Sequence, residues 1–280
     1  MARIAKSMKM DIGINELENI SFVDCNCWVG GNYLNPKFSI GEAQLDKIIE
    51  DRQGNYNMKI SILSHHASLF YWAREGNNML AEIMKEKPGI SGAMLMEHEF
   101  ISEPENFEAG LKKRFEQGFR IVRLFPKSNK YPFEANLLPT LYDVLNHYRF
   151  PVMIGLEEID ITGNKYIEWN KIAGIAKAYS NLPIIIDGQN AKCLLYNSYF
   201  LSLLVNFENI YLTSHNLFSI NQIENLVGKT SSKKILFDTY FPYLGVNLAV
   251  KRLLLSSLKL QDKERIAHKN IEEIIQRIEF

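Results

Sequence analysis

Eight short apolar runs punctuate this chain, and nearly all of them end in polar residues. They begin near Phe22, Lys59, Ser91, Arg120, Val152, Ile184, Ile210 and Lys234. Most are rich in Val, Ile, Leu and Met, as strands covered on both faces are. Between them the apolar residues recur at helical spacing. Leu45, Ile48 and Ile49 mark a helix over 42–52, and Met79, Ile83 and Met84 mark one capped at Asn77 or Asn78. Helices are also predicted over 107–117, 137–148, from Trp169 to Tyr179, over 191–205 and over 220–227. Two more close the chain, the last with Ile271, Ile274, Ile275 and Ile278 on one stripe.

Strand and helix thus alternate eight times. That alternation predicts an α/β protein with a parallel sheet. Closure into a single (β/α)8 TIM barrel over 1–280 suits eight units, and about 250 residues is typical of that fold. An open doubly wound sheet is disfavoured, because no Gly-X-Gly-X-X-Gly follows the first strand. At 46% hydrophobic residues, the chain can bury a full core. With 32 basic and 32 acidic residues the formal net charge is zero, which argues against nucleic acid or an anionic membrane as partner. Three cysteines make no disulfide framework, and no run has the length of a signal peptide or a membrane span. The expectation is a cytoplasmic protein that binds a small molecule, with a homo-oligomer left open.

Polar groups at the ends of apolar barrel strands belong to the catalytic rim. The first strand, Ser21-Phe22-Val23-Asp24-Cys25-Asn26-Cys27-Trp28-Val29-Gly30-Gly31, carries several. Strict alternation puts Asp24, Asn26 and Trp28 on one face and Cys25 and Cys27 on the other. This stretch resembles the Asp-X-His-X-His strand that opens amidohydrolase-superfamily barrels, in the branch of small amidohydrolase-related proteins. Gly118–Pro126 in the middle, Ile235–Pro242 near the end and Ile266–Asn270 in the tail add to the resemblance. It implies the barrel fold and a hydrolase or decarboxylase-like lyase acting on a small compound.

The same resemblance locates the family's metal ligands, and this chain departs from them. Asn26 and Trp28 stand at the paired histidines, Gly155 at the histidine of the fifth strand, and Gly188 or Gln189 at that of the sixth. The catalytic aspartate falls at Tyr240, with Asp238 two residues earlier. Zinc prefers thiolate, imidazole and carboxylate, so no metal cofactor is expected at the usual position. Zinc held at a displaced site by Asp24, His65, Glu157, His215 and Asp238 stays open as the alternative.

Among the rim residues, Arg123 shares a strand face with Ile121 and Phe125 and is predicted to point into the mouth. There it would hold an anionic group bidentately, or else pair with Glu157 or Asp24. Asn26, Trp28 and Tyr240 are the other predicted substrate-binding residues. Glu157, on the face of Met153 and Gly155, is the first acid/base candidate; His65, His215 and Asp238 are the others. Of His65 and His66 only one can enter the mouth. Three functions follow: an enzyme acting on a small anionic compound, a catalytically inactive relative that binds a ligand, or an assembly protein with a vestigial mouth.

Overall fold

The computed structural model describes residues 20–159, 168–188, 198–217 and 219–280. The strands are β1 (Phe22–Val29), β2 (Met58–His65), β3 (Ile90–Leu95), β4 (Phe119–Leu124), β5 (Val152–Gly155), β6 (Ile184–Asp187), β7 (Ile210–Thr213) and β8 (Ile235–Leu236). They lie side by side in chain order, every ladder parallel. The covering helices are α1 (Glu42–Tyr56), α2 (His66–Phe70), α3 (Ala73–Glu86), α4 (His98–Ser102), α5 (Phe107–Glu116), α6 (Pro139–His147), α7 (Trp169–Ala178), α8 (Ser198–Asn206) and α9 (Gln222–Lys229). After β8 come α10 (Val246–Leu254), α11 (Leu260–Glu264) and α12 (Asn270–Gln276), the last two joined by a π turn over Arg265–Lys269. The fold is the (β/α)8 barrel that the alternation predicts. The first part of the helix predicted over 191–205 lies outside the described residues.

The interior is built in layers, because residues two apart on each strand face the same way. The lowest layer is apolar: Val23, Cys25, Ile62, Ala93, Ile121, Met153, Ile185 and Leu236, closed beneath by Ile271 and Ile274 of α12. A larger apolar shell packs between strands and helices. Above this layer, where the strands finish, the inward side chains turn polar at Asn26, Arg123, Asp187 and Asp238.

β8 has only two ladder residues, fewer than the seven-residue polar-ended run predicted from Lys234 to Tyr240. The seam to β1 is held by two backbone bonds, Cys25 N–H to Phe237 O at 3.2 Å and Trp28 N–H to Phe241 O at 2.8 Å. Side chains complete it. Asp24 accepts from the Thr239 amide at 3.0 Å and the Thr239 hydroxyl at 2.5 Å. Arg52 of α1 donates to Asp24 Oδ2 at 2.9 Å, to Ser61 Oγ at 3.0 Å and to Cys27 Sγ at 3.2 Å. The Ile266 carbonyl, in the π turn, accepts from Phe237 N–H at 3.0 Å, which anchors the last helix under the seam.

The strict alternation expected for β1 fails here. Its register with β2 slips between Asp24 and Cys27, and a bulge of this kind shifts every later side chain by one face. Cys25 lines the lower interior, and Asn26 and Trp28 face inward above it. Asp24 and Cys27 share the outer face instead, against Arg52. Burial raises both thiols' pKa values, consistent with packing rather than nucleophilic roles.

Close packing between α2 and α3 makes one position unforgiving. A Cβ at Gly76 would sit 2.1 Å from the Ser68 backbone nitrogen. Gly76→Ala is expected to lower stability by about 1–3 kcal/mol, the usual cost of overpacking. A urea unfolding curve with an unchanged midpoint would contradict that.

Candidate functional site

Five side chains from five strand ends form one buried polar cluster. Arg123 closes β4, Asp187 ends β6, His215 follows β7, Asp238 follows β8, and Asn26 lies just past the β1 bulge. Arg123 Nη1 donates to Asn26 Oδ1 at 2.6 Å, and Nη2 to Asp187 Oδ2 at 2.7 Å. The Asn26 amide nitrogen donates to Asp187 Oδ2 and to Asp238 Oδ2, both at 3.2 Å. Asn26 therefore bridges the two carboxylates. His215 Nδ1 lies 2.5 Å from Asp238 Oδ2, and its Nε2 3.6 Å from Asp187 Oδ1. The His215 backbone amide (2.7 Å) and the Ser214 hydroxyl (3.2 Å) both donate to Asp238 Oδ1. Every member of the cluster is at most 2% exposed.

Electrostatics follow from that burial. Desolvation raises the Asp238 pKa, the His215 contact opposes the rise, and Asp24 and Asp187 add to it. The His215 ring nitrogen that opposes the rise lies 2.5 Å from Asp238 Oδ2. Gly155 of β5 pairs in register with Asp187 and adds no side chain.

Aromatic residues cover the cluster. The Arg123 guanidinium lies 4.6 Å from the Trp28 ring centroid and 5.6 Å from that of Phe125. Tyr240 stacks on His215 at 4.4 Å with the planes 9° apart, and Tyr243 stacks on Tyr240 at 4.9 Å. His66 stacks on Trp28 at 5.1 Å, its Nε2 2.9 Å from the Tyr243 hydroxyl. Burial raises the Tyr240 phenol pKa, keeping it neutral. Two buried N–H groups here, Trp28 Nε1 and Arg123 Nε, have no hydrogen-bond partner among the described residues. Buried donors without acceptors are costly, and a bound molecule with oxygen acceptors would satisfy them.

The structure thus brings Asn26, Trp28, Arg123, His215, Asp238 and Tyr240 together. Arg123's carboxylate partner is Asp187, not Glu157 or Asp24. Glu157 is exposed, because β5 stops at Gly155 and the chain turns into a 3₁₀ segment over Leu156–Ile159 that swings the side chain out. His65 caps α2, its Nδ1 accepting from Ala67 N–H at 3.1 Å, and His66 takes the place in the mouth. Asp187, His66, Tyr243 and Asn32, whose amide donates to the Tyr243 hydroxyl at 2.9 Å, complete the arrangement. The sequence pattern already held a signal for Asp187: it stands two residues after the inward Ile185.

His65 carries a pH prediction. Burial, and then His66, pull its pKa down to about 4, below the unfolded 6.5. The folded state keeps the ring neutral while the unfolded chain protonates it. His65 therefore lowers stability progressively as pH falls from 6.5 toward 4, by on the order of 2–3 kcal/mol. His65→Asn keeps a capping oxygen but cannot titrate. Its unfolding free energy is expected to fall less steeply over that window; equal slopes would remove the assignment.

The cluster does not suit the metal that the resemblance implies. An ionised carboxylate offers about four lone-pair positions. Those of Asp238 face Asn26, His215 Nδ1, the His215 amide and Ser214. Asp187 Oδ2 already accepts from Arg123 and Asn26. Of the displaced set, Asp24 faces away, His65 caps a helix and Glu157 is exposed, so only His215 and Asp238 meet. Among the described residues, no three His, Cys, Asp or Glu side chains are arranged to hold an ion.

Comparisons locate the fold among known structures. No family model matches the chain, and no curated protein matches it. Solved structures do, across nearly their whole length. 2,6-Dihydroxybenzoate decarboxylase from Rhizobium superposes with a TM-score of 0.68 at 14% identity, covering 91% of this chain and 98% of its own. For a candidate amidohydrolase from Staphylococcus aureus the values are 0.66, 13%, 91% and 99%. For 5-carboxyvanillate decarboxylase from Novosphingobium aromaticivorans, complexed with manganese and 4-hydroxy-3-methoxy-5-nitrobenzoic acid, they are 0.69, 12%, 92% and 97%. The chain is a structural match to amidohydrolase-superfamily barrels, and identities this low establish the fold alone. No helix among the described residues is long and apolar enough to cross a membrane.

Proposed function

We propose that this barrel is a decarboxylase-like lyase for a small, electron-rich aromatic carboxylate. The observation that carries the reading is the meeting of one guanidinium, one His–Asp pair and several aromatic faces at the strand ends. Arg123 would seat the anionic group. Trp28, Phe125 and Tyr240 would hold a flat ring. His215, oriented and kept basic by Asp238, would pass a proton to the ring carbon bearing the carboxylate. The carbon–carbon bond then breaks, its electron pair restores the aromatic ring, and carbon dioxide leaves. His215 recovers its proton from solvent. Hydrolysis fits less well, since it needs an activated water besides the anion seat, and Glu157, the carboxylate expected to activate it, faces solvent. The resemblance to structures of aromatic acid decarboxylases supports the same choice.

A binding protein without turnover is the second reading. It draws on the fact that both terminal nitrogens of Arg123 are already held by protein oxygens. One experiment separates the two. A panel of mono- and dihydroxybenzoates is incubated in deuterium oxide, with carbon dioxide release and ring deuteration followed. Product with deuterium at the vacated carbon supports the lyase. Saturable binding without product favours the second reading, and neither binding nor product removes both.

A further inference from the structure

We propose that the Arg123 guanidinium is the built-in counter-ion of the Asp187–Asp238–His215 cluster, taking the electrostatic place of a divalent cation. On this view the mouth holds no divalent cation while Arg123 is in place. The inference holds whether or not the protein turns over a substrate.

The argument begins with charge. Two carboxylates share one amide bridge, each 3.2 Å from the same Asn26 nitrogen, in a region with no exposed surface. Two unbalanced carboxylates this close cannot both stay ionised away from water. A cation, a proton or both must compensate them. Arg123 supplies a permanent charge at 2.7 Å from Asp187 Oδ2, and cannot lose its proton. The His215 ring answers the second carboxylate at 2.5 Å. The donor atoms that remain, two carboxylates and an imidazole, are of the kind that bind zinc and manganese. Asp187 Oδ2 is turned toward the rigid fork of the guanidinium, and Asp238 toward Asn26, His215 and Ser214. Coordination requires about 2.0–2.2 Å to oxygen, whereas Arg123 Nη2 stands against the same oxygen at hydrogen-bond distance. The ion and the guanidinium therefore exclude each other.

The sequence already places the substitutions in concert. Asn26 and Trp28 on β1 and Gly155 on β5 leave two strands without the imidazoles that the resemblance implies. Asn26 additionally positions the guanidinium, accepting at 2.6 Å on its oxygen while its nitrogen holds both carboxylates. A neutral histidine at 26, with a single N–H, could accept from Arg123 but would lack the second donor hydrogen that Asn26 offers the two carboxylates.

The test uses zinc and the neutral, similarly long Arg123→Met. Wild type dialysed against zinc and then against buffer is expected to retain substoichiometric metal by elemental analysis, with an unchanged melting midpoint. Arg123→Met is expected to melt below wild type, and Arg123→Met/Asp187→Asn to recover part of that loss. One tightly held equivalent on wild type, lost in Asp187→Asn, would overturn the proposal, as would Arg123→Met melting with wild type. If Arg123→Met fails to fold, the double variant Arg123→Met/Asp187→Asn decides. A counter-ion role predicts that the double variant folds and melts higher than Arg123→Met alone. A double variant no more stable than the single one would overturn the role.

Discussion

Replacing His215 with alanine is expected to reduce turnover of an aromatic carboxylate by about two to four orders of magnitude, the usual contribution of a positioned proton donor. The loss should fall on kcat, because binding is assigned to Arg123 and the aromatic faces. Asp238→Asn should approach the same loss. The ring's Nδ1 faces that carboxylate at 2.5 Å, and an amide there would no longer favour a protonated imidazole. Tyr240→Phe keeps the ring stacked on His215 and should cost far less. If His215→Ala retains wild-type kcat, His215 is not the proton donor and the lyase reading loses its acid.

Arg123→Ala is expected to weaken an aromatic carboxylate by at least about tenfold, since a charge-assisted hydrogen bond contributes roughly 1.5–3 kcal/mol. The same change should lower folding stability by about 3–5 kcal/mol, because it takes the guanidinium away from the buried Asp187 carboxylate. The two losses are separable. Calorimetric titration at a temperature where the variant remains folded reads the first, and urea unfolding reads the second. Unchanged affinity beside lost stability would make Arg123 a structural ion pair only. Unchanged stability would mean that Asp187 is neutral or compensated elsewhere.

The fold was legible because it depends on repetition. Eight apolar runs and their covering helices leave few topologies open, and a local error in one strand does not alter the count. The site was legible only where a strand keeps its alternation. Arg123 follows Ile121 by two residues and Asp238 follows Leu236 by two, and both face inward as parity requires. Asp24 and Glu157 broke that rule for local reasons. The bulge in β1 turns Asp24 outward to Arg52, and the early end of β5 turns Glu157 to solvent. The bulge has no glycine or proline inside it to announce it, and Gly155 is the one local signal for the early end of β5. The choice between His65 and His66 depended on which one ends β2 and which opens α2, a one-residue boundary that periodicity does not resolve. Arg123's pairing with Asp187 was hidden for another reason: strands distant in sequence meet only once the barrel closes.

That closure has a consequence for how the protein reaches its working form. Asn26 and Asp238 are separated by 212 residues yet hydrogen-bonded to each other, on the two sides of a seam with only two ladder residues in β8. Chain synthesis delivers Asn26 well before Asp238. A nascent chain lacking its final helices therefore carries the second carboxylate but not the π-turn carbonyl that receives Phe237. Contacts of such long range also form late in folding, since loop closure precedes them. Competence at the mouth is thus a report on completion: the polar cluster exists only once the first and last strands have met.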